Sequence, residues 1–180
     1  VKGNVTASIS DFGHVVRVAI VIRSALLWVA TEGWHGLPIV VAAFIIGSFV
    51  LLLVSQYRVQ LFKRTNKSGD CLQQAIIDGN LAVGIRYAGF LVGSALAITA
   101  ATGIAPYAAD NINASLLYWA VSAVVCLIAF IILHLVTIKI ILSGCDISDE
   151  VNRQKNVGVA TISAAVSFAV GITMATLLGA

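Results

Sequence analysis

The sequence predicts an all-α membrane protein: a polytopic helix bundle of two parallel two-helix repeats, preceded by one extra N-terminal transmembrane helix. Three observations predict this fold. The 180 residues are 59% hydrophobic and 11% charged, whereas about 25% of the residues in soluble domains are charged. Five stretches are long and apolar enough to cross a bilayer. Residues in the middle and at the end of the chain also match at a constant offset.

The five predicted spans each contain about 20 mainly apolar residues, the length that a bilayer requires. Pro38 falls in the first turn of the second span, where its missing N–H has no partner to lose. The spans cover residues 12–30, 37–57, 81–104, 116–141 and 157–178.

The repeat is marked by two asparagines, Asn80 and Asn156, which stand 76 residues apart and each open an apolar stretch rich in small residues. Other pairs at this offset are Lys63 with Lys139, Asp70 with Asp146, and Gly103 with Gly179. Two spans per unit return the chain to the side where it started, so the two copies are expected to be parallel. The predicted units are an N-terminal segment, residues 1–36, a first repeat, 37–110, and a second repeat, 111–180.

The basic residues predict the orientation in the membrane. They collect in the connections after the second and fourth spans, and these are Arg58, Lys63, Arg64, Lys67, Lys139, Arg153 and Lys155. By the positive-inside rule these connections and the N-terminus face the cytoplasm, and the C-terminus lies outside. The opposite side carries an aromatic belt of Trp28, Trp34, Trp119, Tyr107 and Tyr118. The expected location is a bacterial inner membrane, with an organellar membrane as the alternative if a targeting peptide has been removed.

Small residues recur every fourth position in the third and fifth spans. They are Gly89, Gly93 and Ala97 in one span, and Ser163, Ser167, Gly171 and Ala175 in the other. Ladders of this kind allow helix backbones to approach closely inside a membrane. We therefore expect these two spans to form the centre of the bundle, or of an oligomer.

These paired motifs resemble the YjfL-like family of small bacterial inner-membrane proteins of unknown function, domain-of-unknown-function family three-fifty. The resemblance covers about residues 38–180. The letters that carry it are Asn80 with Leu-Ala-Val, Tyr118-Trp119, and Asn156 with Val-Gly-Val. It implies a four-helix membrane domain and transfers no catalytic residue. The first span departs from that pattern.

Three arginines fall inside predicted spans, where a charge costs about 2.5–3.5 kcal/mol on insertion scales. Arg86 lies near Asn80 and is expected to snorkel to the interface. Arg17 and Arg23 lie in the first span. No acidic residue at matching depth pairs with Arg23, so we expect it to face a partner subunit, a lipid headgroup or a hydrated cavity. These three arginines, together with His134 in the fourth span, are partner or pore candidates.

Two further sites have alternative interpretations. Asn80 and Asn156 are expected to act as helix N-caps, or to mark an anion pocket at two adjacent helix N-termini near Lys155 and Arg86. His134 is a single imidazole in an apolar span, without a second donor at matching depth. It is expected to be a hydrogen-bonded packing residue instead of a haem or metal ligand.

The sequence contains no nucleophile–base–acid set, phosphate loop or dinucleotide fingerprint. The expected function is a non-enzymatic integral membrane subunit that packs into a larger membrane complex or homo-oligomer. The alternative is a small channel or transporter with a route between the third and fifth spans, and an enzyme that uses the polar connections is the weakest option. No cofactor is expected. The expected partners are the lipid bilayer and other membrane subunits or further copies, without nucleic acid.

Overall fold

The computed structural model describes residues 3–66, 69 and 71–179. Lys67, used above for orientation, Asp70, used for the repeat, and Ala180, the end of the second predicted unit, lie outside the described residues. Within the described ranges the chain is built of helices and connecting turns and contains no strand. The all-α helix bundle predicted from the sequence is confirmed.

Five long helices form the bundle, and each is long and apolar enough to cross a membrane. They are α1 (Val5–Trp28), α2 (Leu37–Thr65), α4 (Leu81–Thr99), α6 (Ile112–Ile141) and α8 (Val157–Leu178). Three short helices connect them, α3 (Leu72–Ile77), α5 (Ala101–Ile104) and α7 (Ile147–Asn152). Two 3-10 segments, Ala30–Gly36 and Ala109–Asn111, precede α2 and α6.

Three helices extend beyond their predicted spans, α1 and α2 by seven or eight residues and α6 by four at its start. Helix α1 begins at Val5 because Asn4 caps it, with its side-chain oxygen accepting the N–H of Ala7 at 3.0 Å. Helix α2 continues past Tyr57 to Thr65. Polar residues in these extra turns made the predicted spans too short. Hydropathy marks the part of a helix that lies in the membrane core, and not the ends of the helix.

The helices α2, α3 and α4 follow in the same order as α6, α7 and α8, and α4 and α8 begin 76 residues apart. We call the end of the bundle that holds α3 and α7 the basic end, because α2 and α6 finish there with Lys63, Arg64 and Lys139 in their last turns. The other end, where α1 and α4 finish, is the aromatic end.

Helix α4 lies at the centre, with 12 buried residues among its 19. It packs most extensively against α8 and next against α1. Gly89 faces the backbone of Ala164, and Gly93 faces Ser167 and Gly171. A Cβ atom on either glycine would overlap these neighbours, so the absent side chains set the short distance between α4 and α8.

Helix α1 also packs closely against α4. A Cβ atom on Gly13 would lie 2.8 Å from the Cα of Ala88, and one on Gly84 would lie 2.7 Å from Cγ2 of Thr6. The small-residue packing that the sequence assigned to the third and fifth spans therefore also includes the first. Helix α1 is part of the packed bundle and not an addition at its edge.

The aromatic end is held together by Trp28. Its indole Nε1 donates a 2.7 Å hydrogen bond to the carbonyl of Ala105. The Trp28 ring lies 5.5 Å from that of Tyr107 and 5.8 Å from that of Trp119, measured between ring centres. Trp34, in contrast, is 85% exposed. The predicted belt thus contains both packed and exposed rings.

Candidate functional site

A basic cavity of about 330 Å³ opens between α2, α4, α6 and α7. We call it the basic cavity because two guanidinium groups, those of Arg58 and Arg86, line it. Most of its remaining wall is apolar and comes from Leu61, Phe62, Val83, Leu135, Ile138 and Val151. Polar atoms of α7 and the residues before it, Cys145, Asp146, Ser148 and Asn152, complete the lining at the basic end.

Arg58 reaches the cavity from α2. Its guanidinium carbon lies 4.2 Å from the centre of the Phe90 ring, a cation–π geometry that offsets part of the cost of removing the charge from water. Arg58 shares one face of α2 with Leu51, Ser55 and Phe62, at intervals of three or four residues. That spacing indicates that Arg58 lies on the packed face of α2. The sequence analysis missed this role because it used Arg58 only to orient the chain.

Arg86 reaches the same cavity from α4. Its Nε is buried and has no hydrogen-bond partner within the described residues. The sequence predicted that Arg86 would snorkel to the interface. In the structure Arg86 is half-buried and lines the half-open basic cavity near the basic end, where α7 and the last turns of α2 partly cover α4.

Asp146 supplies a carboxylate to the cavity wall. Its Oδ1 accepts the backbone N–H groups of Ser148 and Asp149, both at 3.1 Å, and so caps α7. Within the described residues neither Arg58 nor Arg86 forms an ion pair. Because arginine stays protonated in proteins, the pair can bind an anion but cannot exchange protons.

Asn80 and Asn156 both act as helix N-caps. The Asn80 side chain accepts the N–H of Val83 at 3.3 Å, and the Asn156 side chain accepts that of Val159 at 3.2 Å. Each side-chain amide nitrogen also donates to a residue of α7. Asn80 donates to the carbonyls of Val151 and Asn152 at 3.2 and 3.1 Å, and Asn156 donates to the Glu150 carboxylate at 2.8 Å.

The structure separates Lys155 from Arg86, which were expected to lie together near an anion pocket at the two helix N-termini. Glu150 occupies the place beside Asn156, and the exposed Lys155 does not line the basic cavity. Arg153 forms a bidentate ion pair with Asp149, with Nε 2.7 Å from Oδ1, and this bond holds the pKa of Arg153 above its ordinary value. The cavity therefore owes its positive charge to side chains on α2 and α4.

Arg17 and Arg23 have separate environments on α1. Arg17 is buried, and its Nη1 donates to Oγ of Ser55 at 2.7 Å. Arg23 lines a second cavity of about 620 Å³ at the aromatic end, between α1, α4, α5 and α8. The Arg23 residue is exposed, and the partner subunit, lipid headgroup and hydrated cavity expected for it stay predictions. Next to it, Oγ of Ser24 is buried and has no hydrogen-bond partner within the described part of the chain.

His134 is 2% exposed, and its Nδ1 lies 3.2 Å from Oγ of Ser167. Its ring stacks on Phe130, and the edge of Phe90 lies 5.8 Å away between ring centres. This is the environment expected of a hydrogen-bonded packing histidine. Oγ of Ser163 is buried without a described partner.

The remaining ladder residues lie at different depths. Ala97 is fully buried in α4, whereas Ala175 is only partly buried and lines the second cavity. Gly89, Gly93, Ser167 and Gly171 form the α4–α8 contact described above. The structure thus joins four of the ladder residues directly in one interface.

These features define an α-helical multi-pass membrane protein with a half-open basic cavity between its helices. A family described as Domain of Unknown Function (DUF350) matches residues 32–178, and the chain belongs to this family. The resemblance predicted from the paired motifs is confirmed. The matched region excludes α1. No curated protein and no solved structure matches the chain.

Proposed function

We propose that this protein is a non-enzymatic integral membrane subunit that assembles with a second copy of itself or with another membrane subunit. One observation carries this proposal. The outward face of α8 holds four small residues, exposed and spaced four apart, which we call the outer stripe: Thr161, Ala165, Ala169 and Thr173.

The outer stripe is distinct from the ladder that faces α4. Ser163, Ser167 and Gly171 are buried on the inner side of α8, where α4 already covers them. They are therefore unavailable to another chain. Helix association inside a membrane depends on close backbone packing, since lipid tails are as apolar as the helices. An exposed line of small residues offers that packing to a neighbouring helix.

The experiment compares two leucine substitutions in the full chain. Ala169→Leu puts a bulky side chain in the outer stripe, and Ala19→Leu makes the same change at an exposed alanine of α1. Residues four positions from Ala19 are Val15 and Arg23, so no small-residue line exists there. We expect Ala169→Leu to reduce cross-linked or native assemblies severalfold, and Ala19→Leu to leave them unchanged. Unchanged assembly in Ala169→Leu would refute the proposal.

A small channel or transporter is the alternative function. Its route was expected between the third and fifth spans, which are α4 and α8. Their backbones touch at Gly89 and at Gly93, so conduction there requires the two helices to separate. The alternative is favoured if Arg23→Leu changes the permeability of reconstituted vesicles while assembly stays normal.

We further propose a bacterial inner membrane as the location, with the basic end in the cytoplasm, as the positive-inside rule predicts. Cys71 and Cys145 are exposed near that end. A membrane-impermeant maleimide should leave both unlabelled in intact cells. It should label Glu32→Cys, at the aromatic end, when Cys71 and Cys145 are replaced by serine. The opposite labelling pattern would reverse the orientation.

A further inference from the structure

We infer that the basic cavity binds the phosphate group of an anionic membrane lipid. The inference is independent of the assembly proposed above, because the cavity and the outer stripe of α8 involve different helices. Two arginines, Arg58 and Arg86, line one half-open cavity between the helices. Guanidinium forks match phosphate oxygens in geometry and charge.

The arrangement of the two arginines favours a negatively charged ligand. Like charges that share a partly dehydrated cavity repel each other, and the repulsion is stronger there than in water. Phe90 supports Arg58 by a cation–π contact, but no described carboxylate forms an ion pair with either group. The buried Nε of Arg86 still lacks an acceptor within the described residues. A bound anion would supply the acceptor and the negative charge together.

Asp146 is the acidic group in the cavity wall, and its position is compatible with this inference. Its Oδ1 is held at the start of α7 by the N–H groups of Ser148 and Asp149. That carboxylate therefore belongs to the part of the wall at the start of α7. The arginines extend into the cavity from two other helices, α2 and α4.

The surroundings favour a lipid over a free ion. The walls contributed by Leu61, Leu135 and Ile138 are apolar and belong to membrane-spanning helices α2 and α6. Basic pockets between transmembrane helices are suited to anionic headgroups. A volume of about 330 Å³ accommodates a headgroup, and acyl chains would then extend along α2 and α6. Inorganic phosphate has the same anionic chemistry but gains nothing from the apolar walls.

The first experiment uses the wild-type protein in a neutral detergent. Cys145 lines the cavity, whereas Cys71 is exposed but does not line it. Short-chain phosphatidylglycerol should slow maleimide alkylation of Cys145 severalfold and leave Cys71 unchanged. Short-chain phosphatidylcholine and inorganic phosphate, at the same concentration and ionic strength, should leave both rates unchanged. Equal protection of Cys145 by inorganic phosphate would overturn the lipid assignment, and no protection by phosphatidylglycerol would overturn the site.

The second experiment measures the apparent affinity for the same phosphatidylglycerol by the increase in thermal unfolding temperature, since a ligand of the folded state stabilises it. Arg58→Gln and Arg86→Gln should each weaken binding about tenfold or more, the loss expected for one charged hydrogen bond. Arg23→Gln removes an arginine from the other cavity and should bind normally. Equal loss in all three variants would show a non-specific charge effect and would overturn the inference.

Folding of these variants can be checked independently of the lipid. Removal of one of two repelling charges should leave the lipid-free unfolding temperature unchanged or slightly raised. If Arg86→Gln does not fold, Arg58→Gln and the Cys145 protection in the wild-type protein still test the site. Loss of assembly without loss of lipid binding would refute the proposed function alone.

Discussion

Nη1 of Arg17 donates a 2.7 Å hydrogen bond to Oγ of Ser55, and this bond joins α1 to α2 inside the bundle. Both residues are buried. Oγ of Ser55 donates in turn to the carbonyl of Leu51 at 2.9 Å. The charge in the first span is therefore stabilised by a hydroxyl whose own proton is already bonded. An intramembrane arginine can thus be held by its own chain, without a carboxylate.

Removal of this hydroxyl should destabilise the fold. We expect Ser55→Ala to lower the free energy of unfolding by about 1.5–3 kcal/mol, because a buried charged donor loses its acceptor. Ser24→Ala is the matched control, since Oγ of Ser24 is buried without a described partner, and it should be nearly neutral. Unfolding titrations in mixed detergent measure both variants. Equal effects would show that the Arg17 bond contributes no stability.

The contact between α4 and α8 should tolerate no added methyl group. A Cβ on Gly171 would overlap the backbone of Gly93, so Gly171→Ala should lower the free energy of unfolding by about 1–3 kcal/mol. Ala169→Leu adds a larger group on the outward side of the same helix. This control variant should leave the free energy of unfolding unchanged when it is measured in a detergent that keeps the chain monomeric. A stable Gly171→Ala variant would contradict the packing described here.

Asn80 should matter more as a connection to α7 than as a helix cap. Asn80→Asp keeps the oxygen that accepts from Val83 but loses both donors to the α7 carbonyls. We expect it to cost about 1–3 kcal/mol. Asn111→Asp keeps the exposed cap of α6, whose amide has no described acceptor, and should be nearly neutral. Thermal unfolding of the two variants distinguishes the roles, and equal stability would assign Asn80 to capping alone.

The tryptophans should differ in their access to water. Trp34 is 85% exposed, whereas Trp28 is 8% exposed and Trp119 is fully buried. Iodide should therefore quench mainly Trp34. Trp34→Phe should remove most of the quenchable fluorescence, and Trp28→Phe should remove little of it while lowering stability, because the bond to Ala105 is lost. Strong quenching that persists in Trp34→Phe would contradict the packing of the aromatic end.

Local signals predicted the parts of the site that depend on one segment. Asn80 and Asn156 were predicted as caps because an N-cap bonds only to the first turn that follows it. Their bonds to α7 could not be predicted, because they depend on how a connection folds over the bundle. Arg58 was missed for a related reason: an arginine near a helix end is interpreted as interfacial until the neighbouring helix that covers it is known.

The sequence by itself determined the membrane class, the five spans and the family, because each depends on apolar length, charge placement and short motifs read along the chain. The tertiary structure alone decided that α4 is central, that α1 packs beside it, and that Arg58 and Arg86 share a cavity. A lone helix has no preferred neighbour in an apolar solvent, so the face it buries is chosen by close packing against other helices. Gly13, Gly89 and Gly93 allow that close packing. The packed bundle then places Arg58 and Arg86, which are distant in the sequence, in the same cavity.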